Sequence, residues 1–412
     1  MTPHDIALFL YNLMLIPMIF LSVLHLMLCL LSISVGRTKR SFENLKKYPF
    51  ISVQIPSYND PIAERCIKKC LEFEYPEGKY EIIIADDSTH KATQKRLSEY
   101  QRKYPGKVKY LHRDNRTGFK AGALQEAMKH TKGEIIVIFD ADWIPEKDFL
   151  LNVVKPFSDP KVALVQTRQG FYNRHVNFIT RFASYTLMAY HAVIMPIHDR
   201  FNSVFFCGTA GAIRRSAFEE VGGWNLKSIT EDSEITVRIL ANGYKSVYLD
   251  FETPSEVPET LEGFVKQQMR WCYGNARVFF DNATQILFRR GLTLRQRGMI
   301  VYTTLFNVTA PVVVLMTTFG FAGWLLGEPS LIQISDITTL LWRFLATAGF
   351  LAVGFLTLYK RSLLMEFPKM AASILSIGMV LAVGNTIAFS KAALNRKLHW
   401  FCTPKIQNDS VA

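Results

Sequence analysis

From Ile6 to Val35 the chain carries no Asp, Glu, Lys or Arg, and a stretch that long without charge belongs in a bilayer. About 20 apolar residues cross the hydrocarbon core, so this segment spans with length to spare. A secretory signal peptide is the competing reading. Against it, the basic n-region is missing, the apolar run is too long and no A-x-A cleavage site follows. Arg37, Lys39, Arg40, Lys46 and Lys47 come directly after the run. By the positive-inside rule they stay cytosolic, which places the N-terminus outside and the chain after Arg37 inside.

Three further apolar segments lie at the other end: Met299 to Leu326, Ile337 to Tyr359 and Ala371 to Ser390. Arg343, within the second, either snorkels from a helix end or lines a polar pathway. Three crossings after a cytosolic block leave the C-terminus outside, yet Lys391, Arg396, Lys397 and Lys405 favour inside. A re-entrant or interfacial segment is one way out of that conflict. The net charge of +13 could serve nucleic acid, anionic lipid or an anionic substrate. Much of the excess sits beside membrane segments, at Arg37 to Lys47 and Arg289 to Arg297, so headgroups account for it and nucleic acid is not expected. Cys29, Cys66, Cys70, Cys207, Cys272 and Cys402 show neither CxxC nor zinc-type spacing, which excludes a disulfide framework and points to a reducing compartment.

Between about Pro49 and Asp250 short β-rich runs alternate with helical patterns. The runs are Ile51 to Ile55, Tyr80 to Ala85, Val108 to His112, Glu134 to Phe139 and Val162 to Thr167; Pro61 to Glu72, Thr93 to Tyr104 and Gly118 to His130 have helical spacing. Continuous apolar strands separated by helices predict an α/β fold with a mostly parallel sheet covered on both faces. Ligands of such sheets bind beyond the carboxyl ends of the strands. The residues to read are therefore Pro56 to Asp60, Asp86-Asp87-Ser88 and Asp140-Ala141-Asp142. No GxGxxG or Walker loop follows any strand, which argues against a dinucleotide or P-loop site.

Asp140 and Asp142 end an apolar strand, where paired carboxylates are costly unless a cation is held there. Such hard oxygen ligands suit Mg2+ or Mn2+ and a phosphate-bearing substrate; a solvated turn is the plain alternative. Asp86 and Asp87 could accept hydrogen bonds from a base or ribose, or simply form a strand-end turn. Lys120 opens a helical run, where an ammonium and a helix N-terminus could face a diphosphate, unless it is a solvated surface lysine. Asp232, in Thr230-Glu231-Asp232 ahead of a helix, is either a helix-end charge or a base for an attacking hydroxyl. Gln267, Arg270 and Trp271 stand at i, i+3 and i+4, which puts an amide, a guanidinium and an indole on one helix face. That trio suits a sugar diphosphate, and equally an interfacial helix at headgroup level.

Together Asp86-Asp87-Ser88, Lys120 to Leu124, Asp140-Ala141-Asp142, Gly208-Thr209, Thr230-Glu231-Asp232 and the Q-x-x-R-W of Gln267 to Trp271 resemble the membrane-embedded inverting family 2 nucleotide-sugar glycosyltransferases, the branch of cellulose, mannan and hyaluronan synthases. The resemblance runs from about Pro49 to Phe280. It implies a GT-A fold, doubly wound, set between transmembrane helices. Asp86 or Asp87 then holds the nucleotide base, Asp140 and Asp142 bind the metal diphosphate, and Lys120, Gln267 and Arg270 bind the nucleotide sugar. Asp232 is the catalytic base, with Gly208, Thr209 and Trp271 at the acceptor.

The expected layout is an anchor over 1–36, a cytosolic GT-A domain over 37–260, interfacial helices over 261–298, about three membrane helices over 299–390 and a basic tail over 391–412. No F-x-V-T-x-[KR] gating signature, cyclic-nucleotide-binding domain or zinc segment is found, so regulation of the cellulose synthase kind is not supported. The expected function is a multi-pass enzyme of the cell membrane, with its catalytic domain cytosolic, that extends a glycan with anomeric inversion from a UDP- or GDP-sugar. Single transfer to a lipid-linked acceptor is the alternative enzyme, and a non-catalytic sugar-nucleotide-binding subunit the alternative of another class.

Overall fold

The computed structural model describes residues 1–35, 42, 45, 47–60, 62–327 and 337–398. Arg37, Lys39, Arg40, Lys46, Pro61, Cys402 and Lys405, on which parts of the sequence reading fall, lie outside the described residues.

The uncharged N-terminal run forms one helix, α1 (Pro3–Val35). Then come β1 (Ile51–Ser57), α2 (Ala63–Leu71), β2 (Tyr80–Asp86), α3 (Lys91–Lys103), β3 (Val108–His112), α4 (Phe119–Met128) and β4 (Ile135–Ile138). Each crossover from strand to helix returns to a parallel neighbour: β1 pairs with β2 and with β4, and β2 with β3. The chain continues through α5 (Phe149–Val153), β5 (Val162–Phe171), α6 (Phe178–Ala189), a π turn over Tyr190–Ile194, α7 (Met195–Arg200), β6 (Gly211–Arg214), α8 (Arg215–Glu220), α9 (Glu231–Ala241) and β7 (Lys245–Ser255). The seven strands lie in the order β3-β2-β1-β4-β6-β5-β7. β6 runs antiparallel to both β4 and β5, and β7 parallel to β5, so six strands share one direction.

The strand periodicity decides which helices cover which face. Ile135 and Val137 of β4 join Ile51, Val53 and Ile55 of β1 against Ala63, Cys66, Ile67 and Cys70 of α2. Ile136 and Ile138 point the other way, into Leu124 of α4, Phe218 of α8 and Ile235 and Ile239 of α9. Fully burying side chains of this size contributes about 1.5–3 kcal/mol each, which is why continuous apolar strands need helices on both faces. The sheet has two strands that the sequence reading lacked. β6 is four residues long, and in the edge strand β7 the apolar Val247, Tyr248 and Leu249 give way to Asp250, Glu252 and Pro254, so neither shows a long apolar run.

After β7 come α10 (Leu261–Phe288), α11 (Leu294–Leu305), α12 (Thr309–Leu326), α13 (Ile337–Lys360) and α14 (Phe367–Ala393). By length and composition four stretches could cross a membrane: Pro3–Val35, Leu294–Leu326, Leu340–Lys360 and Leu364–Ala393. α11 and α12 follow one another antiparallel to α1, with His4 Nδ1 2.9 Å from the Gly323 carbonyl of α12 and Tyr302 Oη of α11 3.3 Å from His25 Nε2. α13 runs parallel to α1: the Gly349 amide donates to Ser22 Oγ at 2.8 Å, and Lys360 Nζ donates to Ser32 Oγ at 2.8 Å.

Candidate active site

A cleft opens at the carboxyl ends of β1, β2 and β4. Ser57, Tyr58, Asp87, Lys120, Asp140, Asp142, Thr209, Glu231, Asp232, Glu256, Gln267, Arg270 and Trp271 all line it. The expected site residues thus converge from six separate elements or their ends. Gly208 is the wall behind them, and Asp86 lies outside the cleft.

The two neighbouring aspartates at the end of β2 part company. Asp86 is fully buried and accepts hydrogen bonds from Tyr110 Oη at 2.8 Å and the Ser88 amide at 3.1 Å, with His112 Nδ1 3.1 Å away. It ties β2 to β3. Asp87 faces the cleft and is gripped from behind by Arg113, whose Nε and Nη2 donate to its two oxygens at 2.8 and 2.6 Å. Arg113 also donates to the carbonyls of Thr117 and Phe119, so one guanidinium fixes both Asp87 and the loop leading into α4. In that loop Gly118 and Phe119 both take positive φ, 74° and 47°. The turn aims the next residue, Lys120, into the cleft. Beside Asp87 the Arg116 guanidinium stacks 3.2 Å from the centre of the Tyr58 ring.

Lys120 is the centre of the charge arrangement. Its Nζ stands 2.7 Å from Asp140 Oδ1 and donates to the Gly208 carbonyl at 2.9 Å. Burial works against the ammonium, but Asp140, Glu231 and Asp232 together lift its pKa above the ordinary value. Gly208 has φ +77° and no room for a side chain: a Cβ there would be 2.8 Å from Asp232 Oδ2 and 3.2 Å from Lys120 Nζ. Glycine at this position lets the base candidate, the ammonium and the chain before β6 close on one another.

Asp232 sits in the first turn of α9 and accepts from the Ser233 amide at 2.7 Å. Burial raises its pKa, against the pull of Lys120. Burial and then Asp232 push the Glu231 carboxyl up to about 7. Four carboxylates, Asp140, Asp142, Glu231 and Asp232, therefore share the cleft with Lys120 and Arg270. That acidic excess suits a divalent cation, and the oxygens of Asp140 and Asp142 are the ligand type that Mg2+ and Mn2+ take. Among the described residues no cluster of three or more His, Cys, Asp or Glu is arranged to hold a metal alone. The remaining positions would fall to water and phosphate oxygens, as is usual for Mg2+.

Asp142 is positioned by a network that the sequence did not reveal. The Glu256 amide donates to Asp142 Oδ2 at 3.4 Å, and Arg65 Nη2 reaches both the Asp142 carbonyl at 3.4 Å and Glu256 Oε1 at 3.0 Å. Tyr172 Oη bonds to the same Glu256 oxygen. Glu256 follows the polar end of β7, so nothing marked it. Arg113 and Arg116 were within reach of the sequence, since both precede Lys120 in one short polar loop.

On α10 Gln267, Arg270 and Trp271 face the cleft together, as their spacing predicts. Gln267 Oε1, Ser57 Oγ and Thr230 Oγ1 are buried without a hydrogen-bond partner among the described residues. Buried polar atoms are seldom left so, and three around one cleft mark a site shaped for a polar ligand.

Residues 49–274 match the family described as glycosyltransferase-like family 2. The chain is 35% identical over 283 residues to probable glucomannan 4-beta-mannosyltransferase 4 of Oryza sativa subsp. japonica, covering 65% of this chain and 51% of that protein. It is 33% identical over 306 residues to glucomannan 4-beta-mannosyltransferase 9 of Arabidopsis thaliana, covering 72% and 56%. The chain thus spans about half the length of the curated relatives it matches. Among solved structures, mannosyltransferase PcManGT from Pyrobaculum calidifontis, in complex with GDP-Man and Mn2+, has a similar fold. Its TM-score is 0.65 at 21% identity, over 93% of this chain and all of that one.

Proposed function

The chain belongs to the glycosyltransferase-like family 2, and from that premise we propose that it is a membrane-held, inverting mannosyltransferase that extends a β-linked glycan on the cytosolic side of a membrane. The observation that carries the reading is the convergence of Asp87, Lys120, Asp140, Asp142, Asp232, Gln267, Arg270 and Trp271 on one cleft. The names of the relatives favour mannose as the sugar, and the GDP-Man bound to the structural neighbour favours a guanosine diphosphate donor.

In this reading Asp87 and the Tyr58 ring, backed by Arg113 and Arg116, receive the nucleotide base and ribose. Asp140 and Asp142 would hold the Mg2+ or Mn2+, which when bound neutralises charge on the leaving diphosphate. Lys120 and Arg270 add two cationic donors for the same phosphates. Trp271 offers its face to the acceptor sugar, near Thr209 and Gly208. The Asp232 carboxylate takes the proton from the acceptor hydroxyl as that oxygen bonds to the anomeric carbon. The bond from that carbon to the diphosphate breaks on the opposite side, which inverts the configuration. Nothing else need be covalent, so the work of the cleft is alignment and charge stabilisation.

The test is incubation of purified protein with GDP-mannose, GDP-glucose, UDP-glucose and UDP-N-acetylglucosamine, each with Mg2+ or Mn2+, followed by sizing of the product. A polymer formed from GDP-mannose is the expected result. A single sugar on a lipid would replace chain extension by single transfer, and no transfer from any donor would leave a binding subunit.

A further inference from the structure

At the nucleotide end of the cleft an arginine covers the ring that is to receive the base. The guanidinium carbon of Arg116 stands 3.2 Å from the centre of the Tyr58 ring, with the Phe119 ring 5.4 Å away. Packed carbon atoms sit about 3.5–4.0 Å apart, so no flat ring fits between Arg116 and Tyr58. A nucleobase reaches that face of Tyr58 only if the guanidinium leaves it. The backbone on both sides is fixed. Asn59, beside Tyr58, has φ +49° and accepts through Oδ1 from the Thr89 and His90 amides at 2.9 and 3.0 Å, while its own amide donates to Ser88 Oγ at 2.8 Å. Around Arg116, the Thr117 amide donates to Asn115 Oδ1 at 3.3 Å and the Phe119 amide to the Arg116 carbonyl at 2.8 Å. Arg113 holds the Thr117 and Phe119 carbonyls at 3.2 and 3.1 Å. What can yield is the Arg116 side chain itself, which is long and turns about several bonds.

We propose that Arg116 selects the nucleobase: it swings off Tyr58 as the base arrives and turns its guanidinium fork to N7 and O6 of a guanine. Arg116 lines the cleft together with Tyr58 and Asp87. Asp87 beside it is committed to Arg113 through both of its oxygens. A guanidinium carries donors and no acceptor, so it reads a base only through that base's acceptors. Guanine alone sets two acceptors side by side on one free edge, O6 and N7. Adenine places an amino donor beside N7, and uracil has only O4 on the corresponding edge. Leaving Tyr58 costs Arg116 its cation–π contact. A guanosine donor returns two hydrogen bonds for it, and a uridine donor returns one. Because the loop on either side of Arg116 is held, the discrimination resides in one side chain and not in a rearrangement of the cleft.

The inference rests on the guanosine diphosphate donor proposed above and adds which residue selects it and by which edge of the base. Calorimetry on the full chain in detergent with Mn2+, titrating GDP, 7-deaza-GDP and UDP, tests it. 7-Deaza-GDP carries a C–H where GDP has N7 and is otherwise the same molecule. The wild type should bind GDP at least about tenfold more tightly than either of the other two. Arg116→Ala should bind GDP and 7-deaza-GDP alike, its affinity for GDP falling to that of the analogue. Arg116→Met, which keeps an unbranched chain against Tyr58, should do the same, which separates a lost contact from a disturbed loop. Wild-type protein that prefers GDP to UDP yet binds 7-deaza-GDP as tightly as GDP overturns the inference and leaves the donor reading standing. A preference for GDP over 7-deaza-GDP that survives both substitutions overturns it as well. Tighter binding of UDP than of GDP by the wild type removes the guanosine donor, and the inference with it.

Discussion

Gly274 of α10 rests against Thr230, the residue that precedes Glu231 and Asp232: a Cβ on Gly274 would come within 2.6 Å of Thr230 Oγ1 and closer still to its Cγ2. The helix that bears Gln267, Arg270 and Trp271 and the helix that bears Asp232 are thereby held in contact. In an exposed helix Gly→Ala stabilises by up to about 1 kcal/mol. Here Gly274→Ala should do the opposite and lower kcat by at least about tenfold, because small misplacements of a catalytic group cost up to about 10²-fold. Thr230→Gly in the same chain should restore part of the loss. Absence of any rescue in that double variant would remove the contact from the explanation.

Asp232→Asn keeps the shape of the side chain and removes its basicity. Transfer should fall by about 10² to 10⁴, while donor binding, followed by calorimetry with the nucleoside diphosphate sugar, stays near that of the wild type. Turnover close to normal would move the base elsewhere, with Glu231 the first candidate.

Asp142→Asn should abolish turnover without unfolding the protein, and excess chelator should silence the wild type. Glu256→Gln tests the support beneath Asp142: a higher concentration of Mn2+ should be needed for half-maximal rate. Full activity in EDTA would falsify the metal role.

Arg113→Ala leaves Asp87 facing the cleft without its bidentate partner. The KM for donor should rise by about tenfold or more, since truncating one side of a buried charged pair typically costs about 2–5 kcal/mol. Arg113→Lys should recover little, because an ammonium cannot span both oxygens and the loop carbonyls. An unchanged KM would detach Asp87 from donor binding.

Trp271→Ala separates chain extension from single transfer. An indole supplies stacking area that does not depend on which unit has just been added. Product length at equal donor consumption should shorten while donor affinity survives. A wild-type product of one sugar, unaltered by the substitution, would favour the lipid-linked acceptor.

Much of this protein was legible before folding. The uncharged run to Val35 marks a helix long and apolar enough to cross a membrane, because about 20 apolar residues suffice. The apolar runs at Ile51, Tyr80 and Ile135 fix a covered parallel sheet, because strands buried on both faces cannot alternate. The spacing of Gln267, Arg270 and Trp271 sets them on one helix face through geometry alone. What needed tertiary structure was everything that depends on distant segments meeting. Asp86 and Asp87 are chemically alike and adjacent, yet one ties strands together and the other faces the cleft, because alternation along β2 sends them apart. Glu256 meets Asp142 only because β7 carries it back across 114 residues, and Lys120 gathers Asp140, Glu231 and Asp232 from two distant places in the chain. α14 shows the same division: hydropathy marks a helix apolar enough to cross a membrane, whereas its packing on α10, through Gly384 against Met269 and Arg277 against the Ala392 carbonyl, brings together segments about 115 residues apart.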